Sequence, residues 1–144
     1  MEVTLLATED ILDLRHRILR AGLPADTARF EGDDETHTFH AGVRFAGKVI
    51  GCVTLLQRPY DREPAWQLRG MAIDDLYQRQ GIGSALLLFI EGEARRRGGG
   101  KLLWCNARLP AVPFYESHGW VVDGPDFEIE DAGPHCEMVK PLPM

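Results

Sequence analysis

One seven-residue stretch, Gln78-Arg79-Gln80-Gly81-Ile82-Gly83-Ser84, restricts the fold more than any other part of the chain. It lies between a strand-like run, Trp66 to Asp74, and a helical one, Ala85 to Arg97. Two glycines at a strand-to-helix junction allow a tight turn that a Cβ would obstruct. Such a turn leaves the first N–H groups of the helix without intrahelical partners. Those donors and the positive end of the helix dipole make a ready anion site, for which phosphate is the usual occupant. A glycine-rich helix start that binds nothing fits the same residues, because short glycine patterns recur widely. The flanking sequence has to decide.

Upstream, Val3 and Leu5 alternate in a short strand, and Thr8 offers an N-cap to a helix carrying Ile11, Leu14 and Ile18 at helical spacing. Ala21-Gly22 and Pro24 stop that helix, and an acidic loop follows at Glu31-Gly32-Asp33-Asp34-Glu35. His37, Phe39, Ala41, Val43 and Phe45 then alternate with Thr36, Thr38, His40 and Arg44, the pattern of a half-buried strand. Ala46-Gly47-Lys48 turns into a partner strand, Val49 to Gln57. Gly70 interrupts the next strand and suggests a bulge, or a close approach to the backbone.

After the glycine turn, Leu86, Leu87, Ile90 and Ala94 form a buried helical stripe that ends at Gly98 to Gly100. Leu102 to Cys105 reads as a covered strand, so strand, turn, helix and strand make a βαβ unit with a parallel pair. A shorter helix is expected over Ala111 to His118, and strand material at Trp120 to Val122, Phe127 to Ile129 and His135 to Lys140. The whole predicts an α/β (α+β) sandwich. Its sheet is mixed and mainly antiparallel, of about six or seven strands, with one central parallel pair and helices on both faces.

The length of 144 residues fits a single domain, 1–144. Lys and Arg number 16 against 22 Asp and Glu, a net charge of −6. That sign gives no general attraction to nucleic acid and favours a cationic or neutral small substrate. Neither a leader nor a membrane-spanning run is seen, and three cysteines without metal spacing point to buried thiols in a reducing cytoplasm. No metal site is expected.

Three phosphate motifs can be compared position by position. A dinucleotide fingerprint requires a third glycine where Leu86 stands. A P-loop ending at Gly100-Lys101 requires glycine at Arg95 and a hydroxyl at Leu102. Gln78, Gly81 and Gly83 instead fill Q-x-x-G-x-G, which resembles the acetyl-coenzyme A loop of the GNAT N-acetyltransferase superfamily. The resemblance continues through Leu103-Trp104-Cys105-Asn106-Ala107-Arg108 and through Ala111 and Phe114 to Trp120. Phe30 to Asp34 with His40, and Gly133-Pro134-His135 with Met138, are similar to small bacterial, ElaA-like members.

The resemblance implies acetyl transfer from acetyl-coenzyme A to a primary amine of a small molecule or peptide. It places the pyrophosphate on the backbone of Gln78, Arg79, Gln80, Gly81, Ile82, Gly83 and Ser84. The pantetheine arm would lie along Met71, Ala72 and Ile73, with Asn106 bonding its amides. Tyr115 would act as general acid toward the departing thiolate. An alkyl amine must lose a proton before attack, so a base is needed. Glu31, Asp33, Asp34, His37, His40, Glu63 and His135 are candidates, with His40, His135 and Glu31 first. Transfer of a longer acyl group, or a coenzyme A–binding sensor without turnover, remains open, as does a homodimer.

Overall fold

The computed structural model describes residues 1–143. Eight strands form one sheet in the order β1 (Val3–Leu6), β2 (Phe39–Phe45), β3 (Lys48–Gln57), β4 (Trp66–Ile73), β5 (Leu102–Arg108), β8 (Gly133–Pro141) and β6 (Val121–Val122). The short β7 (Phe127–Ile129) also pairs with β8. All neighbours are antiparallel except β4 and β5, which are parallel. Helix α1 (Thr8–Leu19) covers one face of the sheet, and α2 (Ile82–Arg97) and α3 (Val112–Glu116) cover the other. The expected sandwich and its single parallel pair are therefore present, with eight strands rather than six or seven.

The two faces are packed differently. On the α2 side, Ile82, Leu86, Leu87, Ile90 and Ala94 bury against alternate residues of β2 and β3 in one large core. That stripe sits at helical spacing, which is why the sequence forms a helix here and which face it buries. On the α1 side the apolar cluster is small: Ile11 and Leu14 meet Cys52 and Ala72. A polar network completes this second layer. Arg15, fully buried, donates to Asp33 at 2.7 and 3.1 Å, to the Ala28 carbonyl at 2.8 Å and to the Thr54 hydroxyl at 2.7 Å. One side chain thereby ties the loop after α1 to the middle of the sheet.

Several sequence expectations are corrected. Strand β2 begins at Phe39, with Thr36 and His37 in a turn, and it is buried on both faces from Phe39 to Val43. The alternation misleads because its polar position His40 faces α1 rather than water. Thr8 is not the N-cap of α1; Ala7 is, and Asp10 caps it by accepting from the Ala7 N–H at 3.0 Å. The Thr8 hydroxyl is instead used across the fold, at 2.8 Å from Asp34 and 3.0 Å from His40. Helix α2 starts three residues early, at Ile82, because that side chain is buried in the core. Strand β5 runs on to Arg108 because its ladder with β8 persists as far as the Arg108–His135 pair. Helix α3 is shorter than expected and ends at Glu116.

His40 is an interior residue. Its Nε2 lies 3.1 Å from the Asp33 carbonyl, which can only accept, and its Nδ1 lies 2.7 Å from the Thr54 hydroxyl. This fixes the neutral tautomer with its proton on Nε2. Burial pushes its pKa below the ordinary histidine value. The unfolded chain therefore binds the proton first, so stability is complete above about pH 6.5 and falls as pH drops toward the folded-state value. His40→Gln is expected to flatten this part of a plot of denaturation midpoint against pH. An unchanged slope below pH 6.5 would show that other groups carry it.

Candidate functional site

Strands β4 and β5 pair only at Trp66–Leu103 and Gln67–Trp104 and then part. The cause lies in β4. Its register with β3 shifts by one residue between Thr54–Arg69 and Cys52–Ala72, which marks a bulge at Gly70. Gly70 has φ +63°, and a Cβ there would stand 3.0 Å from the Arg15 Nε and 3.2 Å from the Phe30 ring. The bulge also reverses the strand's parity. Leu68 faces the α2 core, whereas Ala72, four residues on, joins the α1 cluster. Gly70→Ala is expected to destabilise the protein by about 1–2 kcal/mol through the left-handed conformation alone. A denaturation midpoint equal to that of the native protein would contradict this account of the bulge.

A cleft of about 420 Å³ occupies the parting of the strands. Met71 lines it from β4, Asn106 from β5, Tyr115 from α3 and His135 from β8. Asn106 lies within β5 rather than at its end, as the sequence suggested, and its side chain shares the α1-side face with Arg108 two residues on. Tyr115 is 7% exposed and belongs to the α2-side core, with its ring 5.3 Å from those of Phe114 and Trp120. Burial, with a smaller contribution from Cys105, pushes its phenol well above the ordinary tyrosine range. It is a proton-bearing donor at any physiological pH.

The glycine turn lies on the α2 side of this cleft. Gly81 is the N-cap of α2 in the left-handed conformation, φ +82°, with open space around its Cβ position. The first helical bond runs from the Ala85 N–H to the Gly81 carbonyl, so the N–H groups of Ile82, Gly83 and Ser84 have no partner within the helix. No acidic residue occupies that turn and no side chain caps it. The Gln78 side chain is engaged elsewhere, donating to the Ile73 carbonyl at 3.2 Å, and so ties the turn to the end of β4. At the other side of the turn, Ser84 and His118 meet at 2.8 Å and Gly83 lies against Phe114, which brings α3 and Tyr115 to the same helix end.

Of the candidate bases, only His135 reaches the cleft. Its Nδ1 lies 2.8 Å from the Gly133 carbonyl and must donate there, which leaves the Nε2 lone pair available in the neutral ring. His40 is enclosed between α1, β2 and β3, Asp33 is held by Arg15, and Asp34 by Thr8 and Arg29. Glu31 and His37 are exposed outside the cleft, and Glu63 forms a bridge with Tyr60. The three thiols are buried and unpaired, with Cys52 pushed up to about 11 and Cys105 to about 12 by burial. The sequence reading assigns no site role to Arg20, Arg69 or Arg108, which line the cleft together with Phe30. Arg108 had a usable signal, since it shares a strand face with Asn106.

Among the described residues, no helix is long and apolar enough to cross a membrane. The sequence pattern of the acetyltransferase (GNAT) family matches residues 7–120. Over 145 aligned residues the chain is 32% identical to the uncharacterized N-acetyltransferase YitI of Bacillus subtilis (strain 168), covering 99% of this chain and 97% of that protein. Its fold is similar to that of Escherichia coli ElaA, with a TM-score of 0.80 at 14% identity over 96% of this chain and 98% of the other. It is likewise similar to an aminoglycoside 6'-N-acetyltransferase complexed with coenzyme A, with a TM-score of 0.79 at 14% identity over 100% and 98%. With the family pattern spanning the bulged strand, the glycine turn and Tyr115, the chain belongs to the GNAT acetyltransferase family and is an acyltransferase.

Proposed function

We propose that the chain moves an acetyl group from acetyl-coenzyme A to a primary amine of a small molecule or peptide, by direct attack within a ternary complex. The observation that carries this reading is the parting of β4 and β5 at the Gly70 bulge, beside an uncapped N-terminus of α2. The residues present fit the co-substrate. Backbone groups of β4 beyond Gln67 have no partner on the β5 side, which suits an arm containing two amides. The unpartnered N–H groups of Ile82 to Ser84 suit a pyrophosphate, each charge-assisted bond contributing about 1.5–3 kcal/mol.

Bound acetyl-coenzyme A supplies a thioester whose carbonyl carbon accepts the amine and whose sulfur departs. His135 Nε2 takes a proton from the ammonium, directly or through a water, to free the attacking lone pair. As the N–C bond forms and the C–S bond breaks, the nitrogen sheds its surplus proton to solvent and the sulfur leaves as thiolate. Backbone N–H at the β4 bulge donates to the carbonyl oxygen as charge gathers there. Tyr115 donates to the sulfur. Its raised pKa makes complete proton transfer to a thiolate strongly uphill, so its role is a hydrogen bond that strengthens as the sulfur gains charge. Asn106 orients the arm from the facing strand.

A free-thiol release assay with acetyl-coenzyme A against amino acids, polyamines, aminoglycosides and peptides tests the reading. Amine-dependent release is expected. Tight binding of acetyl-coenzyme A with no release for any amine would instead favour a sensor of acyl-coenzyme A.

A further inference from the structure

The wall of the cleft on the α1 side is cationic and has no acid in it. Arg20, Arg69 and Arg108 line it beside His135, and no aspartate or glutamate among the described residues does. The register explains how they converge. Arg69 is the cross-strand partner of Thr54, which faces α1, and Arg108 is the partner of His135. Arg20 follows the last residue of α1.

None of the three arginines forms an ion pair among the described residues. Arg15, Arg17, Arg29, Arg44, Arg58, Arg96 and Arg97 all do. Among the described residues, the only side-chain bond of the three is from Arg20 to the Leu19 carbonyl. Phe30 is the platform on which two of them gather. The Arg20 and Arg69 guanidiniums lie 4.8 and 5.2 Å from its ring centre, with Arg15 at 3.9 Å. Arg15 is neutralised by Asp33; the others are not. Burial lowers the pKa of both Arg20 and Arg69, and neighbouring guanidiniums add to the effect, opposed at Arg69 by the Asp33 carboxylate.

We propose that the acceptor is an amine carrying its own anionic group, a carboxylate or a phosphate, clamped by Arg20, Arg69 and Arg108 while its amino group faces the thioester. This rests on the acetyltransferase reading and names the substrate class for the same site. The planar guanidinium fork matches both anions in bidentate fashion. The sign of the cleft is opposite to that of the chain, whose net charge is −6, so the expectation of a cationic or neutral acceptor drawn from overall charge gives way to the local field.

The test uses matched amines with acetyl-coenzyme A: amino acids against their amides, and phosphoethanolamine against ethanolamine, with spermidine as the polycation. The anionic member of at least one pair is expected to have a kcat/KM about tenfold or more above its neutral partner. Which pair responds separates carboxylate from phosphate. Arg108→Gln, an exposed substitution, is expected to raise KM for that acceptor about tenfold while KM for acetyl-coenzyme A stays as in the native protein. Equal or better turnover of neutral amines or spermidine overturns the proposal but leaves the acetyltransferase reading intact. If no amine reacts, the coenzyme A–loaded protein is titrated with N-acetylglycine and with inorganic phosphate. Binding that Arg108→Gln weakens supports the anion clamp; absence of binding by the native protein overturns it.

Discussion

Tyr115→Phe is expected to lower kcat by about a hundredfold and to leave the affinity for acetyl-coenzyme A nearly unchanged. The substitution removes one hydroxyl and keeps a ring that packs 5.3 Å from Phe114 and Trp120, so the core around it should persist. In the proposed mechanism what disappears is a donor whose interaction grows only as sulfur becomes negative, and a group that acts only then affects kcat rather than ground-state binding. Because burial keeps the phenol protonated, the native protein should show no loss of rate from Tyr115 ionisation at pH 8 to 10. Steady-state kinetics over that range check both points. Equal turnover by the two proteins would remove Tyr115 from the chemistry.

The second large effect is on stability. Arg15→Met is expected to cost about 3–5 kcal/mol, because it leaves the Asp33 carboxylate, 2% exposed, without its cation. The Ala28 carbonyl and the Thr54 hydroxyl lose a donor in the same step. Combining Arg15→Met with Asp33→Leu removes both charges and should recover part of the loss, as a coupled pair requires. Denaturant titrations of the two single variants and the double variant measure this directly. A loss below about 1 kcal/mol for Arg15→Met would mean that the loop after α1 is held by other contacts. Since Arg15 also backs Gly70 and Phe30, its removal is expected to disturb the arginine-lined wall of the cleft as well.

How far the sequence foretold the structure depends on the range of the interaction. The glycine turn, the Gly70 bulge and the α2 stripe were readable because each is a local requirement of backbone or helical spacing. The donor half of the site was proposed from them, with Asn106 and Tyr115 added by the family resemblance, and both line the cleft. His40 stood among the candidate bases, on the polar face of a half-buried strand, because nothing local shows that α1 lies over that face. Asp33 appeared available for the same reason; its partner Arg15 is 18 residues earlier in sequence. The arginine cluster was hidden most completely. Arg20, Arg69 and Arg108 come from three separate elements and share the cleft only through the sheet order and the packing of α1 on it, while a net charge of −6 pointed the other way.

Titration of the protein with acetyl-coenzyme A, followed through its backbone amide resonances, examines the donor site most directly. Saturable shifts are expected to be largest at Met71 to Ile73 on the open side of β4 and at Ile82 to Ser84 in the first turn of α2, with β1 and β2 nearly unaffected. Absence of saturation, or shifts centred on the acidic cleft of Tyr60, Asp123 and Glu137 beside Trp104, would contradict the assignment of the β4–β5 opening to the co-substrate.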